Sequence, residues 1–170
     1  EKACSEVGIF TETFHLPQDT SQDDVLDLVR RLNDDHRFHG ILTQLSFPAQ
    51  IDEASVIRSL HTAKDVDGLH PLNAGLIAMG QPKFISCTPY GVLQMLKRSG
   101  ISTSGKNVVV LGRSNLVGRA IATLLSSKGW DATVTVCHSR TSNLAEVTSQ
   151  ADILVAAIGI PEFVSADMVK

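Results

Sequence analysis

The chain has 170 residues, room for one domain or two small ones with a core that needs no covalent staples. With 43% hydrophobic and 19% charged residues and a mean hydropathy of +0.09, it is neither a disordered tail nor a charged solvating segment. Fifteen basic against eighteen acidic residues give a formal net charge of −3, too balanced for the positive field that phosphate-backbone binding needs, so nucleic acid is not an expected partner.

The three cysteines, Cys4, Cys87 and Cys137, are odd in number and far apart. They suggest neither a disulfide framework nor a metal site, and they point to a reducing compartment. No apolar run approaches the ~20 residues of a membrane span, and the start lacks a secretory signature. The opening residues read as the end of a helix already under way, so the chain looks clipped.

In chain order, Lys2 to Glu6 closes a helix at Gly8, and Ile9 to Phe14 alternates enough to predict a strand before Pro17. Thr20 and Ser21 offer caps for a helix in which Val25, Leu28, Val29 and Leu32 share one face and which ends near Asn33. Gly40 to Leu45 reads as a buried parallel strand with Gln44 its only large polar side chain. Asp52 caps a short helix carrying Val56, Ile57 and Leu60, after which LHTAKDVDGLHPLNAG is expected to be an irregular, functional loop. Thr88 and Pro89 form a cap-then-proline helix start, and that helix stops at Gly100. From there the pattern is strand Val108 to Leu111, glycine turn, helix Leu116 to Ser127, strand Thr133 to Val136, helix Asn143 to Ser149 and strand Ile153 to Ala157. Such alternation implies a parallel sheet with right-handed crossovers. Two α/β lobes are expected, 1–91 and 92–170, with the division in the Thr88–Ser99 helix.

VVVLGRSNLVG places Gly112 directly after an apolar strand and Gly118 just inside a helix, the context in which backbone N–H groups meet a pyrophosphate. Ser114 and Val117 stand where the second and third glycines of the usual fingerprint would be, so the same turn also fits an ordinary strand-to-helix connection. At the end of the next strand, His138, Ser139 and Arg140 stand where an NAD site would present a carboxylate. Together with Arg113 they supply cationic and hydroxyl donors for a 2′-phosphate, which favours NADP over NAD. Gln44 reads equally as a ligand-facing amide or as a satisfied structural one, and Lys64, Asp65, Asp67 and His70 equally as a site or as a solvated turn.

The ordered segments HGILTQLSFP, KDVDGLHPLNAG, FISCTPYGV, VVLGRSNLVG, ATVTVCHSRT and ADILVAAIGIPEF resemble the bifunctional methylenetetrahydrofolate dehydrogenase/cyclohydrolase (FolD-type) family over essentially the whole chain. The resemblance implies two α/β lobes, both truncated here: a parallel-sheet catalytic lobe and a Rossmann-like NADP lobe, flanking a folate cleft. It implies oxidation of 5,10-methylenetetrahydrofolate by NADP, hydrolysis of the methenyl product to 10-formyltetrahydrofolate, and a cytoplasmic homodimer, with an organelle open if the source is eukaryotic. By matching motif, Gln44 would position the catalytic lysine and Asp67 would hold the pterin. Arg113, Ser114 and Ser139 would hold the cofactor, with Arg113 and Ser139 nearest the 2′-phosphate, and Gly112, Val117, His138 and Arg140, read from the turn and the strand end, complete the cofactor candidates. The family's tyrosine-x-x-x-lysine motif would fall just before Glu1, so this stretch alone is expected to be nearly inactive. QLSFP departs from the usual QLPLP, and Ser46 should loosen a turn that proline stiffens. A member with one of the two activities, or a catalytically dead folate- or NADP-binding relative, are the alternatives.

Overall fold

Three apolar clusters organise the chain, which a computed structural model describes over residues 1–170. After a short helix α1 (Lys2–Glu6), α2 (Gln22–Asp34) begins at Ser21, whose Oγ accepts the Asp24 amide at 3.2 Å. Asp23 and Asp24 lie at the positive end of its dipole. Helix α3 (Glu53–Ser59) begins the same way, with the Asp52 carboxylate accepting the Ala54 amide at 3.1 Å. Val25 and Val29 of α2 bury against Val56 and Leu60 of the α3 segment, with Ile41 and Ile51 from the intervening chain. Each such aliphatic side chain taken out of water stabilises the fold by about 1.5–3 kcal/mol before entropy is counted.

The second and third clusters are built on a three-stranded parallel sheet of order β2-β1-β3, from β1 (Asn107–Leu111), β2 (Thr133–Cys137) and β3 (Ile153–Ala156). Val110 pairs with Val136 on one side and Val155 on the other. Strand β1 is covered on both faces, which is why its sequence is an unbroken apolar run. Val108 and Val110 pack toward Ile121 and Leu125 of α6 (Gly118–Ser126), Leu93 of α5 (Cys87–Arg98) and Ile77 of α4 (Pro71–Ala78). Val109 and Leu111 face the other way, toward Cys137, Met168 and the flank of α7 (Leu144–Ser149). No helix is long and apolar enough to cross a membrane.

Four expectations are corrected. Ile9–Phe14 is not a strand: no strand pairs with it, and Ile9 and Phe10 are exposed. Gly40–Leu45 is not a buried strand either. It makes one parallel bridge, Ile41 with Asp65, and Leu42 and Gln44 lie at the surface. Apolar composition over six residues does not say which face is covered. The loop expected through HPLNAG is instead helix α4, with Pro71 in its first turn and the His70 ring Nδ1 accepting the Leu72 amide at 3.1 Å. Helix α5 starts earlier than Thr88–Pro89 suggests, with Ser86 as its N-cap and Cys87 its first residue.

Candidate functional site

At the carboxyl end of β1 the chain turns sharply into α6, and two glycines make the turn possible. Gly112 has φ +106°, and a Cβ there would strike the Ala157 carbonyl oxygen. A Cβ on Gly118 would strike the Gly112 carbonyl oxygen, so strand and helix are in backbone contact. Ser114 fills the place of the second fingerprint glycine by capping the helix: its Oγ accepts the amides of Val117 and Gly118 at 3.3 and 3.4 Å. These distances are long, and the donors stay available to a stronger acceptor.

The neighbouring strand end is held just as firmly. The His138 amide donates to Thr141 Oγ1 and the Thr141 amide to the His138 carbonyl, both at 2.8 Å. The Arg140 amide donates to His138 Nδ1 at 3.1 Å. That bond leaves Nε2 as the nitrogen carrying the proton in the neutral ring. Burial pushes the Cys137 thiol up, so it serves as apolar wall rather than thiolate.

Between these two turns lies a cavity of about 290 Å³. Gly112, Arg113, His138 and Ser139 line it together with the apolar Leu144, Ile158, Ile160 and Phe163, and no carboxylate borders it. Of the seven cofactor candidates, four therefore share one cavity. Ser114 and Val117 shape the turn beside it, and Arg140 contributes its backbone to His138 while its side chain is exposed. The apolar wall escaped the residue-by-residue reading. Its signal in the sequence is IGIPEF, a stretch just past a strand end that is apolar except for Glu162, with Ile160 60% exposed.

Gln44 and Asp67 form a second group. The Ile41 amide donates to the Lys64 carbonyl at 2.7 Å, and Ile41 bridges Asp65 in parallel. Gln44 and Asp67 thus lie just past the same end of one paired segment. The Gln44 amide is exposed and has only a 3.4 Å contact with the Leu45 carbonyl, which removes the buried structural glutamine as a reading. Lys64 is no solvated charge: its Nζ donates to the Leu32 and Asp35 carbonyls, both at 2.9 Å, satisfying the end of α2. Asp65 is 1% exposed and accepts three N–H donors. Asp67 alone in this turn is half-buried with no hydrogen-bond partner, and burial, helped by the Asp65 charge, raises its carboxyl above the ordinary carboxylate range.

A parallel sheet with a squeezed glycine turn, and a cavity at the carboxyl ends of two adjacent strands, defines a dinucleotide-binding α/β protein. The models of the tetrahydrofolate dehydrogenase/cyclohydrolase family match its catalytic domain at residues 1–67 and its NAD(P)-binding domain at residues 86–170, and the chain belongs to that family. The bifunctional protein FolD of Dehalococcoides mccartyi strain CBDB1 is 51% identical over 171 residues, covering 99% of this chain and 58% of that protein. The FolD of Salinibacter ruber is 52% identical over 170 residues, covering 100% and 57%. Among solved structures, the Campylobacter jejuni FolD methylenetetrahydrofolate dehydrogenase/cyclohydrolase superimposes with a TM-score of 0.94 at 42% identity, covering 99% of this chain and 60% of that one. The Trypanosoma brucei FolD, complexed with NADP cofactor and inhibitor, does so with a TM-score of 0.93 at 36% identity, covering 99% and 58%. The chain spans about three fifths of the length of the relatives it matches.

Proposed function

We propose that this chain supplies the folate-binding and NADP-binding surfaces of an enzyme that oxidises 5,10-methylenetetrahydrofolate to the methenyl form and hydrolyses that to 10-formyltetrahydrofolate. The observation that carries the reading is the cavity between the β1 and β2 ends, with Arg113 and Ser139 among its lining residues and no acid. The residues fit NADP. The glycine turn lets backbone amides approach the pyrophosphate, the Arg113 guanidinium and Ser139 hydroxyl take the 2′-phosphate, and Ile158, Ile160 and Phe163 offer an apolar face to a planar ring. When bound, NADP supplies the hydride acceptor, and the protein's part in that step is to align two bound molecules.

On the folate side, Asp67 gives paired, charge-assisted hydrogen bonds to the amidine-like edge of the pterin. The positive polarisation of that edge opposes the burial that raises its carboxyl. Gln44, with its amide uncommitted, orients the base that activates water in the hydrolytic step. The two lobes are 1–91 and 92–170, with α4 and α5 as the linking helices, both packed against the second core. The family resemblance supports a homodimer through the nucleotide lobes and a cytoplasmic location.

Arg113→Ala tests the reading in the protein that carries this chain. Loss of a charged hydrogen-bond partner costs about 1.5–3 kcal/mol, so the dissociation constant for NADPH, followed by nucleotide fluorescence, should rise roughly 10- to 100-fold while that for NADH stays put. Equal weakening of both, or of neither, would overturn the assignment of the 2′-phosphate site.

A further inference from the structure

Resting on the folate reading above, we propose that Asp65 and Asn73 are a positioning pair that holds Asp67 against its ligand. Asp65 is a carboxylate at 1% exposure, a burial that is tolerated only when its oxygens are satisfied. They are: Oδ1 accepts the Leu69 amide at 3.1 Å, and Oδ2 accepts the His70 amide and Asn73 Nδ2, both at 2.8 Å. The Gly68 amide closes the turn onto the Asp65 carbonyl at 3.2 Å, and Gly68 itself has φ +64°. Residues 65–70 are therefore wrapped around one buried carboxylate, with Asp67 inside the wrapped stretch and taking no part in its bonds.

Asn73, fully buried on α4, clamps the other end. Its Nδ2 donates to the Thr62 carbonyl at 2.9 Å as well as to Asp65, so one amide group ties the start of the loop to its middle. Its Oδ1 is buried without a partner. An unpaired buried acceptor is costly, and the amide stays polar here because its two donor bonds set the loop's shape. The same helix places Ile77 in the second core, so the clamp fixes Asp67 relative to the nucleotide lobe as well as within its own turn.

The test is a double-mutant cycle in the protein that carries this chain, read by tetrahydrofolate and NADPH titration. Asn73→Ala should raise the tetrahydrofolate dissociation constant at least 10-fold and leave that of NADPH within twofold. In an Asp67→Asn background, Asn73→Ala should change tetrahydrofolate binding less than twofold, because the group it positions is already gone. Unchanged tetrahydrofolate binding in Asn73→Ala, or a full effect persisting in the Asp67→Asn background, would overturn the proposal. Should Asn73→Ala not fold, Asp65→Asn replaces it in the cycle with the same criteria. Failure of both to fold makes the pair a folding element and equally overturns it. Tetrahydrofolate binding by the wild type is measured first, so that failure of the functional reading shows there, before any variant is compared.

Discussion

The two halves of this molecule bury their apolar residues by different means. In the second, β1 is the axis: alternate residues of one strand feed two clusters, to which the strand-turn-helix repeats after it and the two helices before it, α4 and α5, contribute. In the first, two helices and isolated residues from connecting segments meet around Val56, and no sheet holds them together. The polar anchors differ correspondingly. The nucleotide half uses glycines, backbone contacts and local caps from Ser114, Thr141 and His138. The first half uses side chains as struts, with Lys64 on the end of α2 and Asp65 under its own loop. The lesson is that a site on a regular sheet end is positioned by backbone geometry, and a site outside one needs buried charges to hold it.

The largest break should come from the glycine turn. Gly118→Val forces a side chain into the Gly112 carbonyl, a backbone that cannot give way without separating α6 from β1. A loss of about 3 kcal/mol or more is expected, with NADPH binding abolished, checked by urea unfolding and nucleotide titration. Next come the two cores themselves. Val110→Ala and Val56→Ala, both at fully buried positions, should each cost about 2 kcal/mol in unfolding free energy. They should differ in consequence: Val110→Ala weakens NADPH binding along with stability, and Val56→Ala leaves it unchanged.

The smallest effect sharpens the contrast between scaffold and site carboxylates. Asp35 is drawn down to about 2 by the hydrogen bond from the Arg37 side chain, whereas Asp67 is raised from 3.8 by burial and then by Asp65. A carboxyl raised on folding binds more protons in the native state, so stability falls as pH climbs from about that ordinary value through the raised one. Asp67→Asn removes this penalty. Its melting temperature should match wild type near pH 3 and exceed it at pH 7, measured by scanning calorimetry, while tetrahydrofolate binding is weakened and still measurable. A melting curve parallel to wild type at both pH values would show that Asp67 is not held in a costly state.

The nucleotide half was legible because its signals are local. Gly112 follows an apolar strand, Gly118 opens a helix, and His138 and Ser139 end the next strand, so each could be placed by counting along the chain. The apolar wall at Ile158, Ile160 and Phe163 was not, since only folding shows which exposed apolar residues face a cavity. On the folate side, residue types were readable and their roles were not. His70 and Pro71 carry the same cap-then-proline signal as Thr88 and Pro89, but it is embedded in a polar, charged segment whose composition fits a loop equally well. Lys64, Asp65 and Asp67 are indistinguishable as neighbours in a charged turn; their partners lie 29 to 32 residues back for Lys64 and 4 to 8 residues ahead for Asp65.

By itself, then, the sequence determined the parallel α/β character, the glycine turn and the absence of an acid at the second strand end, because periodicity and steric permission are properties of neighbouring residues. Only the tertiary structure decided that Gln44 is exposed, that Asp65 is the buried member of the pair and Asp67 the uncommitted one, and that α4 joins the second core. Burial is set by what the rest of the chain brings to a residue, and two aspartates two positions apart carry no local mark of which one will be covered.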